Sequence, residues 1–482
     1  MMLPRFVLLW SDVVVLGTML LLIAYAWRIR GSANLRATWL KVLHDRAAMC
    51  SAVVLLLFFA VAVVDSVHFR RALPPTEGVT HQQAQAWSTR TESLLDVVFQ
   101  DLVAGREVSY SAPLAIRGFT KDSVTVNGQV ERVFPRLRYG GEHLTDDTQW
   151  AADVTQRAVA GLVGGLLTAV LALAGITAAS MRAQRSGFGA ALVRLLRGHT
   201  DLPLRPVAIT ILVFCVFFGP LLALAQHYHV FGTDRTGNDV FFQALKSIRT
   251  AFVIGTLSTI ATLPLAVGLG ILSGYLRGWV DEFVQYLYTV LSSIPNVLLI
   301  AACVLMMQVF IETHPELFET GAERSDVRLF LLCVILGVTG WSTLCRLLRA
   351  ETMKLSQLEY VQAATAFGLR SLRIMVRHIY PNVVHLIIIT TVLDFSALIL
   401  YEAVLSYVGV GVDPSMNSFG GMINLARTEM SRDPLVWWSF AAAFGFMVTL
   451  VLAANLFADG VRDAFDPRAR AFRPRLRRNA AA

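Results

Sequence analysis

Residues Glu359–Asn382 read EYVQAATAFGLRSLRIMVRHIYPN and stand between two long apolar runs. Tyr360, Ala363, Ala364 and Phe367 recur at i, i+3, i+4 and i+7, so they share one face of a helix. The two alanines keep that face flat enough for close backbone approach. Gly368 is expected to end the helix in a left-handed cap, at a place where a side chain would clash. A second short helix, Ser371–Tyr380, is expected to follow, with Arg370, Arg373, Arg377 and His378 supplying positive charge. Pro381 then opens the next apolar run, where its missing N–H costs little. The product is a helix–turn–helix knob, partly apolar and rimmed with charge, that projects from an apolar body into water. Such a surface suits docking into a partner's groove. An amphipathic loop lying on lipid is the competing reading from spacing alone.

The apolar body is a membrane domain. Of 482 residues, 55% are hydrophobic and 16% charged, whereas a soluble globular protein carries roughly 25% charged residues. A hydrocarbon core of about 30 Å takes about 20 apolar residues per helix. The hydrophobic residues come in long runs, which excludes an ordinary soluble enzyme, a disordered chain and a β-barrel of short alternating strands. Nine spans are expected, near 6–27, 47–65, 157–180, 206–226, 249–275, 283–311, 328–347, 382–405 and 435–458. The first is flanked by Arg5, Arg28 and Arg30 without a small-residue cleavage site, so it reads as a retained span. Loops 28–46 and 181–205 and the tail after 458 are rich in arginine, which places all three in the cytoplasm and the amino terminus outside. That distribution accounts for the net charge of +8; no nucleic-acid-binding module accompanies it. Cys50, Cys215, Cys303, Cys333 and Cys345 lie in or beside apolar runs and read as small core residues, with neither disulfide nor zinc spacing.

The long polar stretch 66–156 falls outside by this topology. An amphipathic helix is expected over Trp87–Val103, with Leu94, Leu95, Val98, Phe99 and Leu102 on one side and Gly105 at its end. A hairpin is expected from Val124-Thr125-Val126 through Asn127-Gly128 to Gln129–Phe134, because Asn-Gly suits a type I′ turn. The stretch therefore reads as a small α+β domain without catalytic or metal-ligand spacing.

The stretch Glu359–Asn382 resembles the EAA loop of ABC-importer permease subunits: Gln362-Ala363-Ala364, then Gly368 and Pro381, fit its spacing. Gln362 replaces the family Glu, and His378 and Tyr380 depart from the general Ile and Leu. Three further segments are similar to the C-type permease of dipeptide, oligopeptide and nickel importers. His229–Phe252 resembles the family's FGTD segment, matching at Phe231, Gly232, Thr233, Asp234, Gly237, Asp239, Val240 and Arg249. Leu405–Ile423 resembles the LSFLGLG segment, and Asp459–Arg470 the terminal signature. The resemblance covers roughly 206–470.

It implies an all-α polytopic fold, the type I ABC importer transmembrane domain with a six-helix core, here with three extra N-terminal spans and the α+β insert. The expected division is two spans with a basic loop (1–65), the insert (66–156), a third span and basic linker (157–205), the permease core (206–458, with the type-1 domain about 249–458), and a basic tail (459–482). The resemblance further implies a multi-pass protein of the bacterial inner membrane that passes peptides or similar solutes. Its partners would be cytoplasmic ABC ATPase subunits, a second homologous permease and an extracytoplasmic solute-binding protein. No Walker A sequence is present, so the chain is expected to be no enzyme and to hold no cofactor, with ATP and Mg²⁺ bound by the ATPase subunits. The knob residues Tyr360, Gln362, Ala363, Ala364, Phe367, Gly368, Arg373, His378 and Pro381 are the expected coupling site.

Other features carry two readings each. Gly270, Gly274 and Gly278, like Gly161 and Gly165, recur every four residues and suit tight helix packing. Asp394 and Glu402 lie eight residues apart in or near the eighth span and so are expected roughly on one face. They line a solute path or pair with a neighbouring span, Glu402 favouring structure. Asp234 and Asp239 read as loop caps before a helix rather than a calcium pair, and His227 and His229 lack further metal ligands. An ion-coupled secondary transporter and a membrane sensor or scaffold are the rival functions; neither explains the knob.

Overall fold

Every run expected to cross the bilayer is helical in the computed structural model, which describes residues 5–72, 87–88, 91–126, 129–184, 187–318 and 320–465. Eight of the described helices are long and apolar enough to span, nine if one bent pair counts as a single crossing. Strand β1 (Arg5–Phe6) leads into helices α1 (Trp10–Gly31), α2 (Ala33–His44) and α3 (Arg46–Asp65). The Asp45 carboxylate starts α3 by accepting the Ala48 N–H at 3.1 Å. Strands β2 (His68–Arg70) and β3 (Glu92–Ser93) complete a small antiparallel sheet in the order β1-β2-β3.

The expected helix over Trp87–Val103 is instead two short ones, α4 (Leu94–Val98) and α5 (Gln100–Ala104). Ser93 and Asp96 form a reciprocal capping box that fixes the start at Leu94, and Phe99 at φ −110°, ψ 36° breaks the run. The hairpin is present as β4 (Asp122–Val126) and β5 (Gln129–Val133), Val126 pairing with Gln129. Its turn residues Asn127-Gly128, like Arg185 and the tail from residue 466, lie outside the described residues.

Helices α6 (Trp150–Gln184), α7 (Phe188–Arg197) and α8 (Leu204–Ala225) follow. Gly161 and Gly165 let α6 press onto α8, since an added Cβ would lie 2.6 Å from the Gly219 carbonyl oxygen and 2.2 Å from that of Cys215. Then come α9 (Val240–Leu276), α10 (Gly278–Ser293) and α11 (Asn296–Thr313). The span expected at 283–311 is therefore broken. Pro295 pushes Ile294 into extended backbone (φ −92°, ψ 133°), which parts α10 from α11. Helices α12 (Gly321–Gly340) and α13 (Ser342–Leu355) bend by 40° at their junction. Gly270 and Gly274 pack on α13, whereas Gly278 turns the chain at φ +56° with no atom within 4 Å of an added Cβ.

Helices α14 (Glu359–Ala366), α15 (Ser371–Ile374), α16 (Tyr380–Val408), α17 (Phe419–Glu429) and α18 (Trp438–Phe465) complete the chain. Helix α3 packs along α9 and α18. Helix α8 lies against α6 and reaches the body through Phe218, whose ring is 6.4 Å from Phe446. Leu221, Leu224 and Ala225 of α8 join Val54 and Phe58 of α3 and Phe446 of α18 in one buried cluster. All five cysteines are free. Leu9 at the head of α1, Lys246–Thr250 in the second and third turns of α9, the start of α12, the end of α3 and residues 413–417 meet around one cavity, so they share one face. Helix α2 packs by Trp39 on the opposite end of α18, at Phe457 and Phe465.

Candidate functional site

The knob is rooted by one helix face and presents another. Val361 and Ala364 of α14 are buried with Ile374, Met375, Ile379 and Val383 against Trp341, Leu344 and Leu348 of the bent pair. Ala364 therefore does not share the free face expected for it. Tyr360, Ala363 and Phe367 do, and Phe367 is 87% exposed. Gln362 and Arg373 are exposed and His378 is half-buried. Gly368 has φ +75°, and the N–H of Leu369 returns to the Ala364 carbonyl at 3.2 Å while its own N–H reaches Thr365 at 3.0 Å. That pairing is a Schellman cap. No atom lies within 4 Å of an added Cβ at Gly368. The glycine is required by backbone conformation and not, as expected, by a clash.

The second knob helix is not separate from the next span. Residues Met375–Ile379 form a π-turn that joins α15 to α16, so Ser371–Val408 is one continuous helix. Pro381 cannot donate an N–H, and the wider turn before it relieves the ring's clash with the preceding backbone. The Asn382 amide donates to Tyr360 Oη at 3.1 Å, closing α14 onto this rod. At the knob's base Arg349 clamps the Asp281 carboxylate at 2.5 and 2.7 Å, tying α13 to α10.

Asp394 and Glu402 diverge. Eight residues rotate a helix by about 80° from a full turn. Glu402 is buried, accepts Ser406 Oγ–H at 2.6 Å, and lies where a Cβ on Gly420 would come within 2.8 Å of Oε1. Asp394 is half-buried, its carboxylate makes no hydrogen bond or ion pair among the described residues, and it lies on the same stripe of α16 as Leu398 and Tyr401.

The segment 231–239 is the bolt between the insert and the membrane body. Phe231 stacks edge-on with Phe241 and Phe446. Thr233 is fully buried; its Oγ1 donates to the Ser109 carbonyl at 2.8 Å and accepts the Ser111 N–H at 2.7 Å, while its own carbonyl accepts Trp438 Nε1–H at 3.0 Å. Gly232 (φ +69°) and Gly237 (φ +79°) sit where a Cβ would lie 2.3 Å from the Ser111 and 1.9 Å from the Glu107 carbonyl oxygen. Asp234 accepts Thr236 and Asn238 N–H groups within the turn, and Asp239 caps α9 by accepting the Phe242 N–H at 2.9 Å. His229 is held between Asp239 (2.8 Å) and Glu107 (3.5 Å). Burial opposes its charge, but the two carboxylates outweigh that and raise it to about 9. Burial likewise opposes ionisation of Glu107, yet His229 and the N–H groups of Arg138, Tyr139 and Gly140 bring it down to about 2. No group of three or more metal-ligating side chains is present among the described residues.

Sequence reasoning missed the ties that join distant elements. Arg249 Nη2 meets Asp12 Oδ1 at 2.6 Å, both buried, and Ser11 bonds Asp326, so α1 is fastened to α9 and α12. An Asp inside the first apolar run and an Arg in the fifth were the available signal, since buried charges come paired.

Comparison with known proteins places this architecture. The family model described as binding-protein-dependent transport system inner membrane component matches residues 266–471. The oligopeptide transport system permease protein OppC of Mycobacterium tuberculosis H37Rv is 30% identical over 260 residues, 54% of this chain and 83% of that protein. OppC of Bacillus subtilis is 29% identical over 242 residues, 50% of this chain and 72% of the relative. The glutathione transport system permease protein GsiD of Pectobacterium atrosepticum is 31% identical over 240 residues, 50% of this chain and 73% of the relative. With its apolar helices, this makes the chain a multi-pass protein of the bacterial inner membrane. The chain belongs to the binding-protein-dependent transport family, as a transmembrane permease subunit of an ABC importer.

Proposed function

We propose that this permease carries short peptides and is driven through its knob by a cytoplasmic ATPase. The roles in oligopeptide and glutathione transport that the relatives' names carry support the solute class. The observation that carries the coupling role is the exposed stripe Tyr360–Ala363–Phe367, set on a helix whose opposite face is buried in the body. A flat apolar stripe beside Arg370, Arg373 and Arg377 fits a groove on a soluble partner. The Schellman cap and the π-turn keep the knob stiff, so a push on the stripe moves the spans, as alternating access needs. ATP and Mg²⁺ are held by that partner, and this chain contributes no cofactor site. A second homologous permease completes the path, and an external solute-binding protein loads it. Asp394 lines the path for a peptide's amine, whereas Glu402 holds α16 to α17.

A photo-crosslinking residue at Phe367 in the co-expressed importer tests the coupling role. Capture of the ATP-binding subunit is expected. Capture of lipid alone would remove the docking role.

A further inference from the structure

The outer face holds a polar cavity of about 880 Å³, the size of a small-molecule site. It is built by Leu9 at the head of α1, the second and third turns of α9, the start of α12, the end of α3 and the loop after α16. Its walls include Lys246, Arg249, Arg324, Asp65, Asp326 and Asp413. Most of these charges are already matched. Lys246 Nζ lies 2.7 Å from Asp96 and 3.7 Å from Asp65, Arg249 meets Asp12, and Arg328 meets Asp413 at 2.9 Å. The lining itself carries three cations, Lys246, Arg249 and Arg324, and three carboxylates, Asp65, Asp326 and Asp413, and a ring nitrogen of His68 lies on Asp12 behind it.

Two donors stand apart. Arg324 is exposed at the cavity wall, and its guanidinium makes no hydrogen bond or ion pair among the described residues. Arg249 is 6% exposed, yet its Nε–H has no partner. A buried donor without an acceptor is costly unless a ligand supplies one. The cavity therefore offers guanidinium donors to an anion and, in the same wall, the carboxylates of Asp65, Asp326 and Asp413 to a cation. A ligand with a carboxylate at one end and an ammonium at the other complements both.

We propose that this cavity is an acceptor site, within this single subunit, for a short zwitterionic peptide recognised by its free termini. The carboxylate lies on Arg324 and Arg249, and the ammonium on the side of Asp65, Asp326 and Asp413. The inference rests on the reading that the transported solutes are peptides.

The test uses the assembled importer in lipid nanodiscs and a photo-leucyl-alanine dipeptide with both termini free. Crosslinks mapped by mass spectrometry are expected within 246–250, 320–326 or 413–417. Unlabelled alanyl-alanine should compete, and its acetylated, amidated form should not. Arg324→Gln, at an exposed position, should lower labelling about tenfold, the worth of one charge-assisted bond, and Arg324→Lys should retain most of it. Labelling confined to other segments, equal competition by the capped peptide, or undiminished labelling of Arg324→Gln would each overturn the site. Capture of the ATPase from Phe367 is scored in the same preparation. If it persists while the cavity takes no label, the site falls and the importer reading stands. If it is lost while the cavity is labelled, the coupling role falls instead.

Discussion

The side-chain amide of Asn382 donates a 3.1 Å hydrogen bond to Tyr360 Oη, twenty-two residues earlier, and so closes the knob onto α16. Tyr360→Phe removes the acceptor and leaves the ring. At this half-exposed site the bond contributes about 0.5–1 kcal/mol. Protein level should be unchanged, while uptake per ATP hydrolysed falls a few-fold in membrane vesicles. Unchanged stoichiometry would show that the closure does not matter for coupling.

Gly368 offers a sharper contrast because space and conformation are separable there. A left-handed residue other than glycine costs about 1–2 kcal/mol, and Asn tolerates the region best. With no atom within 4 Å of an added Cβ, Gly368→Asn should keep most uptake and Gly368→Val should lose it at equal expression. Equal loss in both variants would point to an unseen contact with a partner.

The outer bolt should be sensitive to alkali. His229 titrates near 9 in the folded chain against an ordinary value of 6.5. Its contribution is therefore complete below pH 6.5 and lost as pH rises through 9. Glu107, lowered to about 2 from 4.5, acts in the opposite sense, contributing above pH 4.5 and losing its effect as pH falls through 2. Proteolysis of the insert should accelerate between pH 7 and 9.5, and His229→Gln should flatten that rise. A flat profile in the unaltered protein would refute the linkage.

Breaking the Asp12–Arg249 pair should be costly. Both side chains are buried, and removing one partner of such a pair destabilises by about 3–5 kcal/mol. Asp12→Ala should sharply reduce the amount of folded protein, and Asp12→Leu with Arg249→Met should recover part of it. Full accumulation of the single variant would mean that water or lipid satisfies Arg249.

Asp394→Asn tests the path directly. Uptake of peptides with a free amino terminus should fall several-fold, and uptake of N-acetylated ones should not. Equal effects on both would make Asp394 a structural residue.

The membrane fold was readable because transfer of long apolar runs out of water is a large and local effect. The knob was readable because glycine and proline punctuate it. What the periodicity of Tyr360, Ala363, Ala364 and Phe367 could not show is which side of that stripe meets the body: Ala364 is buried and Ala363 is not. The break at Ile294-Pro295 was signalled by the proline, but a hydropathy run passes through it. The capping box at Ser93 and Asp96 likewise cut short a helix that apolar spacing extended back to Trp87. The Asp12–Arg249 and Glu107–His229–Asp239 ties join residues remote in the chain, and one sequence carries no record of such pairings.

Because Ser371–Val408 is unbroken through the π-turn, the protein contains a lever some 57 Å long at 1.5 Å per residue. Tilting that lever by about 5° around its middle displaces each tip by roughly 2.5 Å in opposite directions. The inner tip carries the basic knob, and the outer tip carries Glu402 locked to Ser406 and Gly420. A small stroke delivered in the cytoplasm is therefore felt outside as a countermotion of the α17 segment, without any messenger between the two ends.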